Sequence, residues 1–511
     1  MRPGEITQDQ DATIAFLNAL AEREGGSLSR IDTHAAIVFL GGDTAWKLKR
    51  AIWFPFLDFS TLEKRRAACE AEVRLNRRTA PDIYLGCRPI TRLTDGSLEL
   101  GGEGEAVDWV VVMRRFDQDM LFDRMAARGA LTADHITELA DEIAQFHGAA
   151  EKRPEFGGAG AMRWIVEDDI TELSAMPETF GETAVGALEH LSDEALVRCA
   201  ALLDERREAG FVRHCHGDLH LRNIFLWNGR PTLFDCLEFD ETLACTDILY
   251  DLAFLLMDLE HRGRRDFANL ALNRYLQRTG DLGGLAALPL FLSCRAAIRA
   301  KVEASGAAVQ RDEAVADGMR SAARDYLSLA TGFLAPHPPM LIGIGGESGS
   351  GKSTVAASLA ARLGAAPGAL ILRSDVTRKR LFDCRMEDSL PEHAYDWDAT
   401  LRTYARLIED ARAALAAGMT VITDAVYADP AERDALAQAA REAGVPFHGF
   451  WIDAPLEIRI ERVLGRRGDA SDATVDFLRT HPALEQGPMN WTRIDASRTV
   501  NEVVESLLFL V

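Results

Sequence analysis

Apolar and polar positions follow two different rhythms along this chain. Near the N-terminus short apolar runs stand in pairs: residues 37–40 and 45–48 flank Gly41-Gly42-Asp43-Thr44, a pattern that predicts a β-hairpin. A short helix is expected over 12–23, a charged helix over 62–78 and a fully apolar strand over 109–113. From about 116 to 332 the pattern is mostly helical, broken by a strand–loop–strand unit between Val212 and Phe239. Ala335-Pro-His-Pro-Pro339 cannot continue a helix and reads as a linker. Beyond it, apolar runs at 340–344, 369–372, 420–423 and 446–452 alternate with helical stretches, as expected of a parallel α/β domain.

Composition narrows the classes. A chain of 511 residues exceeds one ordinary core, so two or three domains are expected. With 47% apolar and 27% charged residues, the bulk should be globular. The net charge of -22 argues against a nucleic-acid coat or an anionic membrane surface as the main partner, because both require a dense basic face. The most apolar stretch, 252–259, is too short to span a bilayer and carries Asp258. The first 25 residues lack the apolar run of a secretory signal. No two of the eight cysteines form a C-x-x-C pair, so a reducing cytoplasm is the expected location.

The strongest local signal is Gly346-Glu-Ser-Gly-Ser-Gly351-Lys352-Ser353, a full match to G-x-x-x-x-G-K-[ST]. Gly346, Gly349 and Gly351 let successive backbone N–H groups curl around a phosphate, Lys352 reaches the β/γ oxygens, and Ser353 ligates magnesium. Thr354 opens the helix expected over 354–363, whose positive end adds to anion binding. Downstream, Leu372-Arg-Ser-Asp375-Val-Thr-Arg378-Lys-Arg380 and Val421-Ile-Thr-Asp424-Ala each place a carboxylate after an apolar run, and Arg459, Arg462, Arg466 and Arg467 precede Ser471-Asp472-Ala. Together these segments resemble the small P-loop kinases that phosphorylate hydroxyl groups: gluconate kinase, chloramphenicol phosphotransferase, the polynucleotide 5′-kinases and the zeta toxins. The resemblance covers roughly 340–511. It implies Asp375 as the carboxylate beside the acceptor hydroxyl, Asp424 with Ser353 at the metal, and a lid from which Arg466 and Arg467 close over the phosphates.

A second constellation lies upstream. His214-Cys-His216-Gly217-Asp218-Leu219-His220-Leu-Arg-Asn223-Ile-Phe-Leu226 is followed by Thr232-Leu-Phe-Asp235. Phosphoryl transfer needs a carboxylate to accept the acceptor's proton, here Asp218. It also needs oxygen ligands for magnesium, here Asn223 and Asp235. The apolar runs 224–226 and 232–234, joined by Trp227-Asn-Gly-Arg230, would carry both metal ligands on one hairpin. Trp46-Lys47-Leu-Lys49 offers a lysine for the α/β-phosphates, and the helix with Glu70 and Glu72 offers a glutamate to orient it. Lys47 with Glu72 is preferred, although Lys49 shares the same strand face. His216 and Asp247 read as structural, and Asp251 as a brace for the catalytic loop. The string is similar to the catalytic core of the aminoglycoside and choline kinase group. With Phe56-Leu-Asp-Phe-Ser-Thr-Leu-Glu and Leu75-Asn-Arg-Arg78, nearly the whole chain resembles bacterial proteins that fuse an aminoglycoside-phosphotransferase-like domain to an ATP-binding P-loop domain.

The expected architecture is therefore α/β and α+β in two domains. A bilobal protein-kinase-like fold occupies 1–334, with an N-lobe of about 1–115 and a C-lobe of about 116–334. A linker at 335–339 leads to a doubly wound P-loop domain with a parallel sheet over 340–511. The expected activity is ATP- and magnesium-dependent transfer of a γ-phosphoryl to a hydroxyl of a small molecule or nucleotide, with ATP bound at two sites. The alternative is an ATP-hydrolysing switch or an ATP sensor in which one domain controls the other.

Overall fold

In the computed structural model, which describes every residue except 1–3, 26–28, 55–56, 466–470, 473 and 481–485, helix α1 (Asp11–Arg23) leads into strands β1 (Ser29–Asp32), β2 (Ala36–Gly41) and β3 (Thr44–Lys49). Strands β2 and β3 form the expected hairpin, with Gly41 opposite Thr44. Helix α2 (Leu62–Asn76) starts at Thr61, whose hydroxyl accepts from Lys64 N. It stops at Asn76, short of residue 78, where the chain tightens into turns with Arg78 N donating to Leu75 O and Thr79 N to Asn76 O, both at 3.2 Å. Strands β4 (Tyr84–Arg92), β5 (Leu98–Leu100) and β6 (Glu105–Arg114) complete a six-stranded antiparallel sheet in the order β1-β2-β3-β6-β4-β5. Cys69 and Val73 of α2 pack with Leu40, Ala45 and Val111 of the sheet, so the helix lies against the strand that carries Lys47 and Lys49.

Helices α3 (Ala133–Ala149), α4 (Gly158–Ser174) and α5 (Glu182–Glu208) precede four short strands, β7 (Val212–His214), β8 (Ile224–Trp227), β9 (Arg230–Leu233) and β10 (Cys245–Asp247). The strands pair as two antiparallel ribbons, β7 with β10 and β8 with β9. Asn228 and Gly229 both have positive φ (50° and 79°), the conformation of a two-residue turn that matches strand twist. Helices α6 (Ile248–His261), α7 (Arg265–Thr279), α8 (Leu288–Val309) and α9 (Glu313–Leu334) follow.

After the irregular stretch 335–339 comes a five-stranded parallel sheet of β11 (Leu341–Gly345), β12 (Leu370–Arg373), β13 (Val421–Asp424), β14 (Phe447–Asp453) and β15 (Thr492–Asp495), ordered β12-β13-β11-β14-β15. Helices α10 (Lys352–Ala360), α11 (Ser374–Leu381), α12 (Trp397–Ala416), α13 (Pro430–Ala443), α14 (Leu456–Leu464) and α15 (Val500–Leu508) complete the unit. Each of the four expected strands is shifted by one residue, with pairing continuing one residue further, to Gly345, Arg373, Asp424 and Asp453. Strand β15 has no counterpart in the sequence reading. Its Thr-Arg-Ile-Asp buries only Ile494 and gives no apolar run. Helix α10 begins at Lys352, since Gly351 at φ +103° ends the loop there. By compactness the chain divides into Met1–Ala161 with Leu203–Leu255, and Met162–Leu202 with Leu256–Val511. Helices α7, α8 and α9 thus group with the parallel sheet.

Candidate active sites

Strand β3 points Lys47 and Lys49 to the same side, where α2 presents Glu72, a fully buried carboxylate. Lys47 Nζ donates to Glu72 Oε1 at 2.8 Å and to Asp235 Oδ1 at 2.6 Å. Lys49 donates to the other Glu72 oxygen and to Glu238. One glutamate therefore holds both lysines, and Lys47 is the one that faces Asp235. Burial by itself would lower the Lys47 value, but Asp235 and then Glu72 outweigh it and hold the ammonium well above the ordinary lysine range. Burial would raise Glu72; Lys47 and Lys49 reverse that and bring it to about 2.

Helix α2 also sets the segment after β9. Asn76 Oδ1 accepts from Cys236 N at 2.9 Å, and Tyr84 Oη accepts from Asp235 N at 3.1 Å. Asp235 itself has φ +58°, a left-handed conformation that a non-glycine residue holds only where its surroundings fix it. The catalytic loop is tied in from the other side. Asn223 Nδ2 donates to Asp218 Oδ2 at 2.8 Å and to Asp218 O at 2.9 Å, while Asn223 O accepts from Phe234 N at 3.0 Å. The amide nitrogen of Asn223 is thus committed to Asp218, and its oxygen is the atom offered to a cation. The carboxylates of Asp218 and Asp235 are 41% and 40% exposed beside a network that is otherwise buried. Asp218 Oδ1 also lies 3.3 Å from His220 Nε2, and both carboxylates remain partly open to solvent.

The loop's support is structural throughout. Asp251 accepts from His216 N at 3.1 Å and Gly217 N at 2.8 Å, and His147 Nε2 lies 3.1 Å from it. His216 Nε2 lies 3.0 Å from Phe234 O. Asp247 pairs with Arg206 at 2.7 Å and accepts from Leu249 N at 2.8 Å. Arg78 donates to the carbonyls of His214 at 2.7 Å and Cys215 at 3.1 Å. The buried trio His147, Cys215 and Asp251 has the donor set of a metal site. However, both Asp251 oxygens serve backbone N–H groups, and burial pushes the Cys215 thiol well above its usual value, so the trio acts as a brace.

The second site is built from consecutive backbone. Gly346 (φ +144°) and Gly349 (φ +81°) are required as glycines, because a Cβ there would stand 2.4 Å from Ile452 O and 2.7 Å from Arg459 O. Ser353 Oγ donates to Asp424 Oδ2 at 2.6 Å, which joins the first turn of α10 to the end of β13. Arg373 Nε lies 3.3 Å from the same oxygen. Lys352 Nζ donates to Glu347 O at 3.1 Å, folded over its own loop. Gly351 precedes α10, and Thr354 lies on its exposed side. Asp375 is half-buried in the first turn of α11.

The arginines divide. Arg459 donates to Ser348 O at 2.9 Å and pairs with Glu347, and Arg462 donates to Ser350 O at 2.6 Å and Ala496 O at 2.7 Å. Both hold the loop from behind. Arg466 and Arg467 lie outside the described residues. Arg378, beside Asp375 in sequence, is buried and spent on Ala394 O at 2.6 Å. Sequence reasoning gave no role to Glu238, Asn76, Tyr84, Arg78, Arg373 or Glu347, although Asn76, Arg78, Arg373 and Glu347 stand within the segments it singled out.

Magnesium suits both donor sets. Asn223 with Asp235, and Ser353 with Asp424, offer only hard oxygen atoms, the ligands that this ion takes.

The phosphotransferase enzyme family matches residues 60–288, and an AAA domain family matches residues 341–481. The uncharacterized protein Rv2004c of Mycobacterium tuberculosis and the uncharacterized protein Mb2027c of Mycobacterium bovis are each 32% identical over 476 residues, spanning 91% of this chain and 92% of the relative. Among solved structures, a choline/ethanolamine kinase family protein from Mesorhizobium loti is similar over 64% of this chain and 98% of its own, at 14% identity and a TM-score of 0.38. A gluconokinase from Sinorhizobium meliloti is similar over 34% of this chain and 99% of its own, at 20% identity and a TM-score of 0.23.

Proposed function

Because the chain belongs to the family of proteins that join a phosphotransferase-enzyme domain to an AAA-type P-loop kinase domain, we propose that it binds ATP at two sites and at each transfers the γ-phosphoryl to a hydroxyl of a small molecule or nucleotide. The observation that carries this reading is the double contact of Lys47, to Glu72 at 2.8 Å and to Asp235 at 2.6 Å, across 25 and 188 residues of sequence. A lysine fixed between a helix glutamate and a metal-binding carboxylate has one use in phosphoryl transfer: to hold nucleotide phosphates beside the ion.

At the N-terminal site Glu72 orients Lys47, and Lys47 takes the phosphates. Asn223 and Asp235 would hold magnesium. Asp218, with one oxygen held by Asn223 and the other 3.3 Å from His220 Nε2, is assigned the proton of the acceptor hydroxyl. At the P-loop site the backbone N–H groups of 346–351 and Lys352 hold the phosphates, and Ser353 and Asp424 would hold the ion. Asp375, in the first turn of α11, is assigned the acceptor's proton, and Arg466 and Arg467 are assigned to cover the phosphates. Magnesium, when bound, neutralises charge on the phosphate oxygens.

Calorimetric titration of the full-length chain with a non-hydrolysable ATP analogue and magnesium should give a stoichiometry near two, and Lys352→Ala should remove one site. A wild-type value of one sinks the two-site reading. Assays with pooled hydroxyl acceptors then separate kinase from switch: ADP release should depend on acceptor, whereas rapid release without one would favour an ATP-driven switch.

A further inference from the structure

Strand β12 is an outer strand of the parallel sheet. Strand β13 pairs with one side of it, from Leu370 opposite Val421 to Arg373 opposite Asp424, and among the described residues no strand pairs with the other side. Buried backbone groups on such an edge need partners. Helix α7 supplies them with side chains. Asn273, only 4% exposed, accepts from Ile371 N through Oδ1 at 2.7 Å and donates from Nδ2 to Ala369 O at 3.1 Å. A single residue of a neighbouring parallel strand does the same through its own C=O and N–H, accepting from one residue's N–H and donating to the carbonyl two residues earlier. One helical turn before it, Asn269 (2% exposed) donates to Ala369 O at 3.0 Å, and its Oδ1 accepts from Asn273 Nδ2 at 3.1 Å. Ile371 N–H can only donate, so the Asn273 amide has one orientation that satisfies both backbone groups. Arg265 Nη2 donates to Gly364 O at 2.7 Å, and Arg278 pairs with Glu387 at 2.5 Å, so α7 grips the chain on both sides of β12.

What this edge carries is the acceptor side of the P-loop site. Two residues beyond Ile371, Arg373 stands opposite Asp424, with its Nε 3.3 Å from the oxygen that accepts from Ser353. Asp375 follows in the first turn of α11. The phosphate loop 346–351 follows a different strand, β11, and makes none of these hydrogen bonds with α7.

We propose that Asn273, supported by Asn269, is a positioning residue of the P-loop site: its amide stands in for a missing strand and sets where β12 holds Arg373 and where α11 then presents Asp375. The importance given to Asp375 rests on the phosphotransfer reading; the placement of β12 does not.

The test uses the full-length chain carrying Asp218→Asn, so that turnover reports the P-loop site. Three quantities are measured: amide exchange over 369–381, affinity for AMPPNP with magnesium, and ADP release from MgATP in the presence of the pooled hydroxyl acceptors. Asn273→Leu should raise exchange over 369–381 and lower kcat by about 10-fold or more each, since two buried backbone groups lose their partners, while AMPPNP affinity and KM for ATP stay within about twofold. Asn269→Leu should do less, because Ala369 O keeps Asn273 as donor. The two asparagines are almost equally buried, so as packing lesions the two leucines should be alike. A graded effect belongs to positioning, and equal effects would overturn it. Unchanged exchange over 369–381, or kcat and AMPPNP affinity falling together, would overturn it too. If Asn273→Leu yields no folded chain, Asn273→Asp replaces it. That variant keeps the acceptor for Ile371 N and loses the donor to Ala369 O, and it should fall between wild type and Asn269→Leu combined with Asn273→Asp. A wild-type P-loop site without turnover even with those acceptors would sink the phosphotransfer reading, and the exchange measurements alone would then decide the positioning.

Discussion

The two candidate sites are built by opposite means. The N-terminal site is assembled from side chains far apart in sequence, with Lys47 paired across 25 residues to Glu72 and across 188 to Asp235. The P-loop site is assembled from the backbone of a few consecutive residues, shaped by Gly346 and Gly349 and closed by the Ser353–Asp424 hydrogen bond. A site made of buried ion pairs fails when one charge is removed, because its partner is left buried and alone. A site made of backbone fails when its conformation is denied. The two should therefore be broken by different classes of substitution.

The largest effect is expected from Glu72→Ala. It leaves Lys47 and Lys49 without their shared carboxylate, and the cost should be about 3–5 kcal/mol of stability, read by denaturant unfolding followed at the N-terminal unit. The pH dependence has a definite sign. Glu72 falls from 4.5 to about 2 in the folded chain, so its contribution is fully present above pH 4.5 and is lost as pH falls towards about 2. A variant as stable as wild type would show that the ion pairs are not the framework of that site.

Next in size is Asp218→Asn, which should cut turnover at the N-terminal site by about 10² or more with nucleotide affinity nearly unchanged. Asp235→Asn should instead weaken magnesium-dependent nucleotide binding, and similar behaviour of the two variants would erase the division of roles. Gly346→Ala follows. Its Cβ would stand 2.4 Å from Ile452 O at a φ of +144°, so the loop must move. The strain of about 1–3 kcal/mol should appear as a loss of about 10-fold or more in nucleotide affinity at the P-loop site alone, read by titration in a Lys47→Ala background.

The smallest effect sharpens the contrast in pH. Burial, with Asp429 nearby, pushes Glu432 of the P-loop unit from 4.5 up to about 7. An acid with a raised folded value favours the fold at low pH, so this contribution declines as pH rises from 4.5 to about 7. Glu432→Gln should flatten that decline, by about 1 kcal/mol or less for a partly exposed group, in thermal melts across the window.

The same difference governs what could be read from sequence. The P-loop was legible residue by residue because its geometry is local: glycines, lysine and serine at fixed spacing dictate the backbone path. The catalytic string around Asp218 and the hairpin to Asp235 were legible for the same reason. The choice between Lys47 and Lys49 could not be resolved, since both face Glu72 and only the folded position of Asp235 and Glu238 tells them apart. Asn269 and Asn273 were invisible in their role. Polar residues four apart on a helix read as a solvated face, and nothing local reveals that a strand lies against them. Arg459 and Arg462 fit a lid in sequence because arginines on a helix carry no sign of which carbonyls they will meet.

The asparagine pair on α7 has a consequence for assembly. An open edge of a sheet is a template on which another chain can add a strand, and natural proteins blunt such edges. Here the edge of β12 is covered by two side-chain amides, which satisfy the backbone but have no free ladder of their own to extend. The cover comes from a helix that precedes the proline stretch 335–339 in sequence. A chain divided at those prolines would keep its phosphate loop intact and bare a strand edge, so that self-association would follow from the cut itself.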